Sequence, residues 1–144
     1  MAHQNAGNYK GKHAPDVKIN EIIGRAVNMK AVDGKISCDD AGSIADELSV
    51  TMQEIGVTID LLEISLNKCQ LGLFGYGAEK KIVEPAGAVN SELERSVREA
   101  AVNGRLPCEA AWKIAERLNI SKMAVSAACE DLKIKIKPCQ LGAF

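Results

Sequence analysis

A mainly α fold, built from one small three-helix module used twice, is what three features of this 144-residue chain predict. The chain repeats itself. AVDGKISCDDAGSIADEL at residues 31–48 returns as AVNGRLPCEAAWKIAERL at 101–118, and CQLGLF at 69–74 returns as CQLGAF at 139–144. Every match falls at an offset of 70 without a gap, and eighteen of fifty-six aligned positions are identical, which marks a duplication. Apolar residues recur at three- and four-residue spacing in three stretches of each copy. Capping residues and glycines punctuate those stretches. The expected organisation is a polar, disordered tail at 1–18, a first repeat at 19–77, a linker at 78–88 containing Pro85 and Gly87, and a second repeat at 89–144.

The first helix starts near Asp16 or Asn20, and in the second copy at Ser91, where SELE reads as a capping box of Ser91 and Glu94. Ile23, Ala26, Val27 and Ala31, matched by Leu93, Val97 and Ala101, form its inner stripe. Gly34 and Gly104 are expected to end it in a left-handed conformation. Short extended pieces follow, Lys35-Ile36-Ser37 and Arg105-Leu106-Pro107. The second helix carries Ala41, Ile44, Ala45 and Leu48, or Ala111, Ile114, Ala115 and Leu118, at i, i+3, i+4, i+7. Thr51 and Ser121 are N-cap residues for the third helix, with Glu54 completing a box in the first copy. That helix buries Ile55, Ile59 and Leu62, or Val125, Cys129 and Leu132. Alternating segments then lead into the CQLG tails, where Gly72 and Gly142 suggest a positive-φ turn that tucks Leu71 and Phe74 back onto their own module.

Composition excludes several classes. Eighteen basic and nineteen acidic residues leave a net charge of -1, so the whole molecule is not a polycation for nucleic acid. No apolar run approaches the roughly 20 residues that span a bilayer, and no signal-peptide pattern opens the chain. A cytoplasmic protein with no membrane partner is expected, its five cysteines reduced. An enzyme is not expected: no phosphate-binding loop, nucleophile elbow or zinc-protease motif occurs, and both histidines lie in the tail. No cofactor is called for.

Helix, short strand, helix, tight turn, helix, strand is the order of a winged helix. IADELSVTMQEIGVTID and IAERLNISKMAVSAACE resemble the helix-turn-helix pattern, with Ala45 or Ala115 where helices cross and Ile55 or Val125 locking the third helix. Ser49 and Asn119 stand where that pattern usually has glycine. The resemblance implies two tandem helix-turn-helix, winged-helix-like repeats with short β wings. It further implies a DNA-binding transcription regulator whose third helix meets the major groove of double-stranded DNA. The tail KCQLGLFG resembles that of uncharacterised proteins from anaerobic bacteria, some linked to molybdenum-cofactor assembly.

Carried over by position, the groove-facing residues are Thr51, Gln53, Glu54 and Thr58 in the first repeat, and Ser121, Lys122, Met123 and Ser126 in the second. The first repeat holds four basic and nine acidic residues; the second holds nine basic and seven acidic. Because duplex affinity comes mainly from phosphate neutralisation, the second repeat is the expected DNA contact. KIKIK strengthens this, since a strand there places Lys133, Lys135 and Lys137 on one face. Lysines on an edge strand also guard against edge pairing. A non-catalytic interaction module or a thiol or metal-handling accessory is therefore the alternative.

Cys38, Cys69, Cys108 and Cys139 recur between copies and are the metal candidates of that alternative, although none has CxxC spacing; no metal is the expectation. Gly42 becomes Trp112 in the second copy. The ring is expected at a contact between copies or subunits, because a module of this size has a marginal core that pairing would enlarge. A homodimer is one form such pairing takes.

Overall fold

The computed structural model describes His13 and residues 17–76 and 81–143. Apart from His13, Val17 and Lys18, the tail expected to be disordered lies outside these residues. The elements are α1 (Glu21–Lys30), β1 (Lys35–Ser37), α2 (Cys38–Leu48), α3 (Met52–Leu61), β2 (Ser65–Asn67), α4 (Ser91–Ala100), β3 (Arg105–Leu106), α5 (Cys108–Leu118), α6 (Lys122–Leu132) and β4 (Lys135–Ile136). Each element of the second half begins 70 residues after its counterpart. The protein is mainly helical, with a few short strands.

Local chemistry sets the boundaries. The Asn20 side chain accepts the amides of Ile22 and Ile23 and starts α1. At α4 the cap is Asn90, whose Oδ1 accepts the Leu93 amide at 2.8 Å. This corrects the Ser91–Glu94 box: Ser91 is the first helical residue, and Glu94 instead accepts from Arg98 Nε at 2.9 Å. Asparagine caps at least as well as serine, and standing one residue earlier it takes the orphan amide.

Gly34 and Gly104 do not end the helices either. Both helices stop at extended Ala31 and Ala101. Asp33 and Gly34 have φ of 52° and 74°, and Asn103 and Gly104 of 53° and 77°. Val32 and Lys35 exchange backbone hydrogen bonds across that turn, as do Val102 and Arg105. Asp-Gly and Asn-Gly suit a two-residue turn that needs positive φ at both centres.

Ser49 and Asn119 end α2 and α5 in the left-handed region, at φ 54° and 56°. The next amides, of Val50 and Ile120, reach back to the Ala45 and Ala115 carbonyls at 3.0 Å, a Schellman closure. Thr51 and Glu54 form the expected box at α3, and Ser121 caps α6.

β1 pairs with β2 and β3 with β4, both in parallel register. Parallel neighbours require a crossover, which the two intervening helices supply. A wing is an antiparallel hairpin; among the described residues these short parallel pairs stand in its place.

The chain divides into two compact units, Met1–Cys69 with Leu141–Ala143, and Gln70–Gln140. In the first, Ile23, Val27, Ile36, Ile44, Ile55 and Ile59 form the core. In the second, Leu93, Val97, Leu106, Ile114, Val125 and Cys129 do so. The tails are exchanged. Leu71 is buried in the second unit and Leu141 in the first, so the expectation that Leu71 folds back on its own module is corrected. The reason lies on α3. A Cβ at Gly56 would sit 2.3 Å from the Leu141 carbonyl oxygen, so only glycine admits the tail backbone there. Gly72, at φ 72°, lies against Met123 and Val83 in the second unit, and its carbonyl accepts the amides of Ile82 and Val83.

Candidate nucleic-acid interface

Three cations share one side of the β3–β4 pair in the second unit, and a fourth precedes it in the chain. Lys135 stands in register beside Arg105 across the β3–β4 pair, at the strand spacing of about 5 Å. Lys137 follows on the same side of the strand by two-residue alternation, and its amide extends the ladder to the Leu106 carbonyl at 2.8 Å. Lys133 is not in the strand. It is the left-handed cap of α6 at φ 58°, separated from β4 by Ile134. All four side chains are exposed, and among the described residues none forms an ion pair with a carboxylate. Like charges directly opposite in a sheet destabilise it. The first repeat avoids this, with Lys35 beside Ser65 and with Glu63 and Asn67 at the flanks. Arg105 was not among the residues singled out from sequence. Its signal was the order itself, which sets the strand before the second helix against KIKIK.

The residues expected to read bases present less. Ser121 is exposed, but its hydroxyl accepts the Ala124 amide at 3.0 Å as the α6 cap. Lys122 is half-buried, with its ammonium 4.6 Å from the Trp112 ring centroid, a cation–π contact. Met123 is half-buried, its methyl against Gly72. Ser126 is 1% exposed, and its hydroxyl finds no partner among the described residues. In α3 the counterparts are similarly occupied: Thr51 and Glu54 close the capping box, Thr58 is buried and donates to the Glu54 carbonyl, and Gln53 is exposed. The third helices are thus covered on a second face by the exchanged tails. Trp112 is half-buried within the second unit, its indole nitrogen buried and without a partner among the described residues.

Cys38, Cys69 and Cys108 are buried and Cys139 is half-buried. The Cys108 amide donates to the Pro138 carbonyl at 3.0 Å, which places the second-repeat tail at the start of α5. Among the described residues no three His, Cys, Asp or Glu side chains converge as a metal site. Cys129 replaces the core Ile59. Burial first, and the Glu130 carboxylate second, push its thiol from 9.0 up to about 11, the opposite of an activated nucleophile.

Among the described residues no helix is long and apolar enough to cross a membrane. No protein-family model, curated protein or solved structure matches the chain.

Proposed function

We propose that the chain is a non-catalytic DNA-binding protein, a regulator of helix-turn-helix type, that grips double-stranded DNA by its phosphates through the basic edge of its second repeat. The carrying observation is the set of Arg105, Lys133, Lys135 and Lys137, four exposed cations with no carboxylate partner among the described residues. Phosphate contacts supply affinity and position without reading sequence. This suits an interface whose helix residues are taken up by capping, stacking and burial. Ser121 and Lys122, at the start of α6, are the nearest to base edges in this reading.

The test is retention of random duplex at low and moderate salt. Four phosphate contacts give a slope of log affinity against log salt of about -3.6, and each lost cation reduces its magnitude by about 0.9. Arg105→Glu with Lys135→Glu should abolish retention while leaving the helical signal unchanged, because both side chains are exposed. Salt-insensitive binding by the unaltered protein, or unchanged binding by the variant, overturns the assignment.

A further inference from the structure

Two cysteines stand opposite each other at the start of α5. The Cys108 amide donates to the Pro138 carbonyl at 3.0 Å. In a parallel pair the donor lies across from the residue after its acceptor, so Cys108 faces Cys139. One hydrogen bond and the backbone atoms flanking it keep the two Cα atoms within about 7 Å, and facing strand residues lie about 5 Å apart. A disulfide asks for about 4.4–6.8 Å. Facing residues also project to the same side of a sheet. Cys108 lies two residues beyond buried Leu106 and is 3% exposed, while Cys139 is half-buried. Both are reduced.

Two sulfurs suit a two-electron couple better than a metal. Zinc takes four ligands, and among the described residues no third His, Cys, Asp or Glu joins this pair. We propose that Cys108 and Cys139 form a redox-active dithiol whose oxidant is a peroxide. The half-buried Cys139 sulfur, as thiolate, attacks one peroxide oxygen and the O–O bond breaks. Cys139 becomes a sulfenic acid, and the departing oxygen takes up the thiol's proton and leaves as water. The Cys108 sulfur then attacks that of Cys139, and the S–O bond breaks. Its oxygen leaves with the Cys108 proton as a second water. The pair has lost two electrons and two protons, and the peroxide has become two waters. Two buried N–H groups lie nearby in the chain. Trp112 is one turn on from Cys108 on the same side of α5, and Gln140 follows Cys139. Trp112 Nε1 and Gln140 Nε2 have no partner among the described residues, and an oxygen added to sulfur is an acceptor of the kind both lack.

The duplication provides an internal control. Cys38 and Cys69 occupy the equivalent positions of the first repeat but are 6% and 4% exposed, so a peroxide reaches neither sulfur while the unit stays folded. In the second repeat Cys139 is the accessible partner, and Cys108 needs access only to Cys139. Cys129, 1% exposed, stays outside the reaction. The bond ties the segment after β4 to the head of α5, at the end of the strand pair that carries Arg105 and Lys135. This chemistry holds whether or not that edge grips DNA.

The experiment treats the reduced full chain with a small excess of hydrogen peroxide, counts thiols and maps disulfides by mass spectrometry of a digest. Titratable thiols should fall by two from the five of the chain. One linked peptide pair should appear, Cys108 to Cys139 within a single chain, and dithiothreitol should restore every thiol. The urea midpoint should rise on oxidation and return on reduction, because the bond restricts the unfolded chain. Cys108→Ser should leave a sulfenic acid on Cys139 that a cyclic dione captures, whereas Cys139→Ser should keep all its remaining thiols. Where a serine variant fails to fold, the map of the unaltered chain carries the test. Retention of every thiol, linkage through Cys38, Cys69 or Cys129, linkage only between chains, or loss of thiols from folded Cys139→Ser overturns the proposal.

Discussion

Gly56 is the residue on which the first unit closes. Adding one methyl there would drive Cβ to 2.3 Å from a backbone oxygen of the tail, and a backbone cannot give way as a flexible side chain does. Gly56→Ala should therefore cost about 1–3 kcal/mol, read by urea unfolding. Protection from hydrogen exchange should fall first in α3. Cys129 makes a second residue-scale prediction. Its thiol keeps its proton up to about 11 in the folded chain, against 9.0 for the ordinary group. Between those values the unfolded chain has released the proton and the folded chain has not. Stability should be intact below pH 9 and decline as pH rises toward 11, by about 2 kcal/mol in all. Cys129→Val should lack that part of the decline when both proteins are unfolded in urea at pH 8 and pH 11. The acids that follow Ile59 and Cys129 show the repeat working in the same way twice. Asp60 accepts His13 Nε2 at 2.8 Å, and Glu130 pairs with Lys81, so in each unit a base preceding the first helix meets an acid on the third.

At the scale of elements, the parts set by neighbouring residues were legible in the sequence. The Thr51–Glu54 box, the Ser121 cap, the left-handed Ser49 and Asn119 and the stripes of α2 and α5 all follow from side chains one turn away. Where two local solutions compete, the boundary falls a residue or two from the position the sequence suggests. Asn90 outcompetes Ser91, and Asp33-Gly34 makes a tight turn after the helix has already ended. Gly34→Ala checks the second point. Nothing lies within 4 Å of the added methyl, so the cost is left-handed strain alone, about 1 kcal/mol, and the α1 amides should keep their exchange protection. Strand direction was not legible, because KIKIK alternates equally well in parallel and antiparallel pairs. The basic edge was half legible. The three lysines stand out in the sequence, whereas Arg105 joins them only through pairing of residues 30 apart. The setting of Met123 was invisible, since Gly72, which lies against it, comes from the other repeat's tail.

The whole molecule is governed by that exchange of tails. A mutation near the end of one repeat should be felt in the other unit. Leu141→Ala removes a side chain 3% exposed and should cost about 2–5 kcal/mol, with exchange protection lost in α3 more than in α6. Leu71→Ala, at a site 0% exposed, should do the reverse. Equal loss in both helices, or loss confined to the mutated repeat's own third helix, would contradict this. The exchange also determines how the chain could be divided. Severed between residues 76 and 81, the protein becomes two fragments, and neither carries the leucine that seals its own bundle. Expressed singly, each half should be soft and prone to clump; mixed, they should snap into a stable heterodimer with no covalent bond between them.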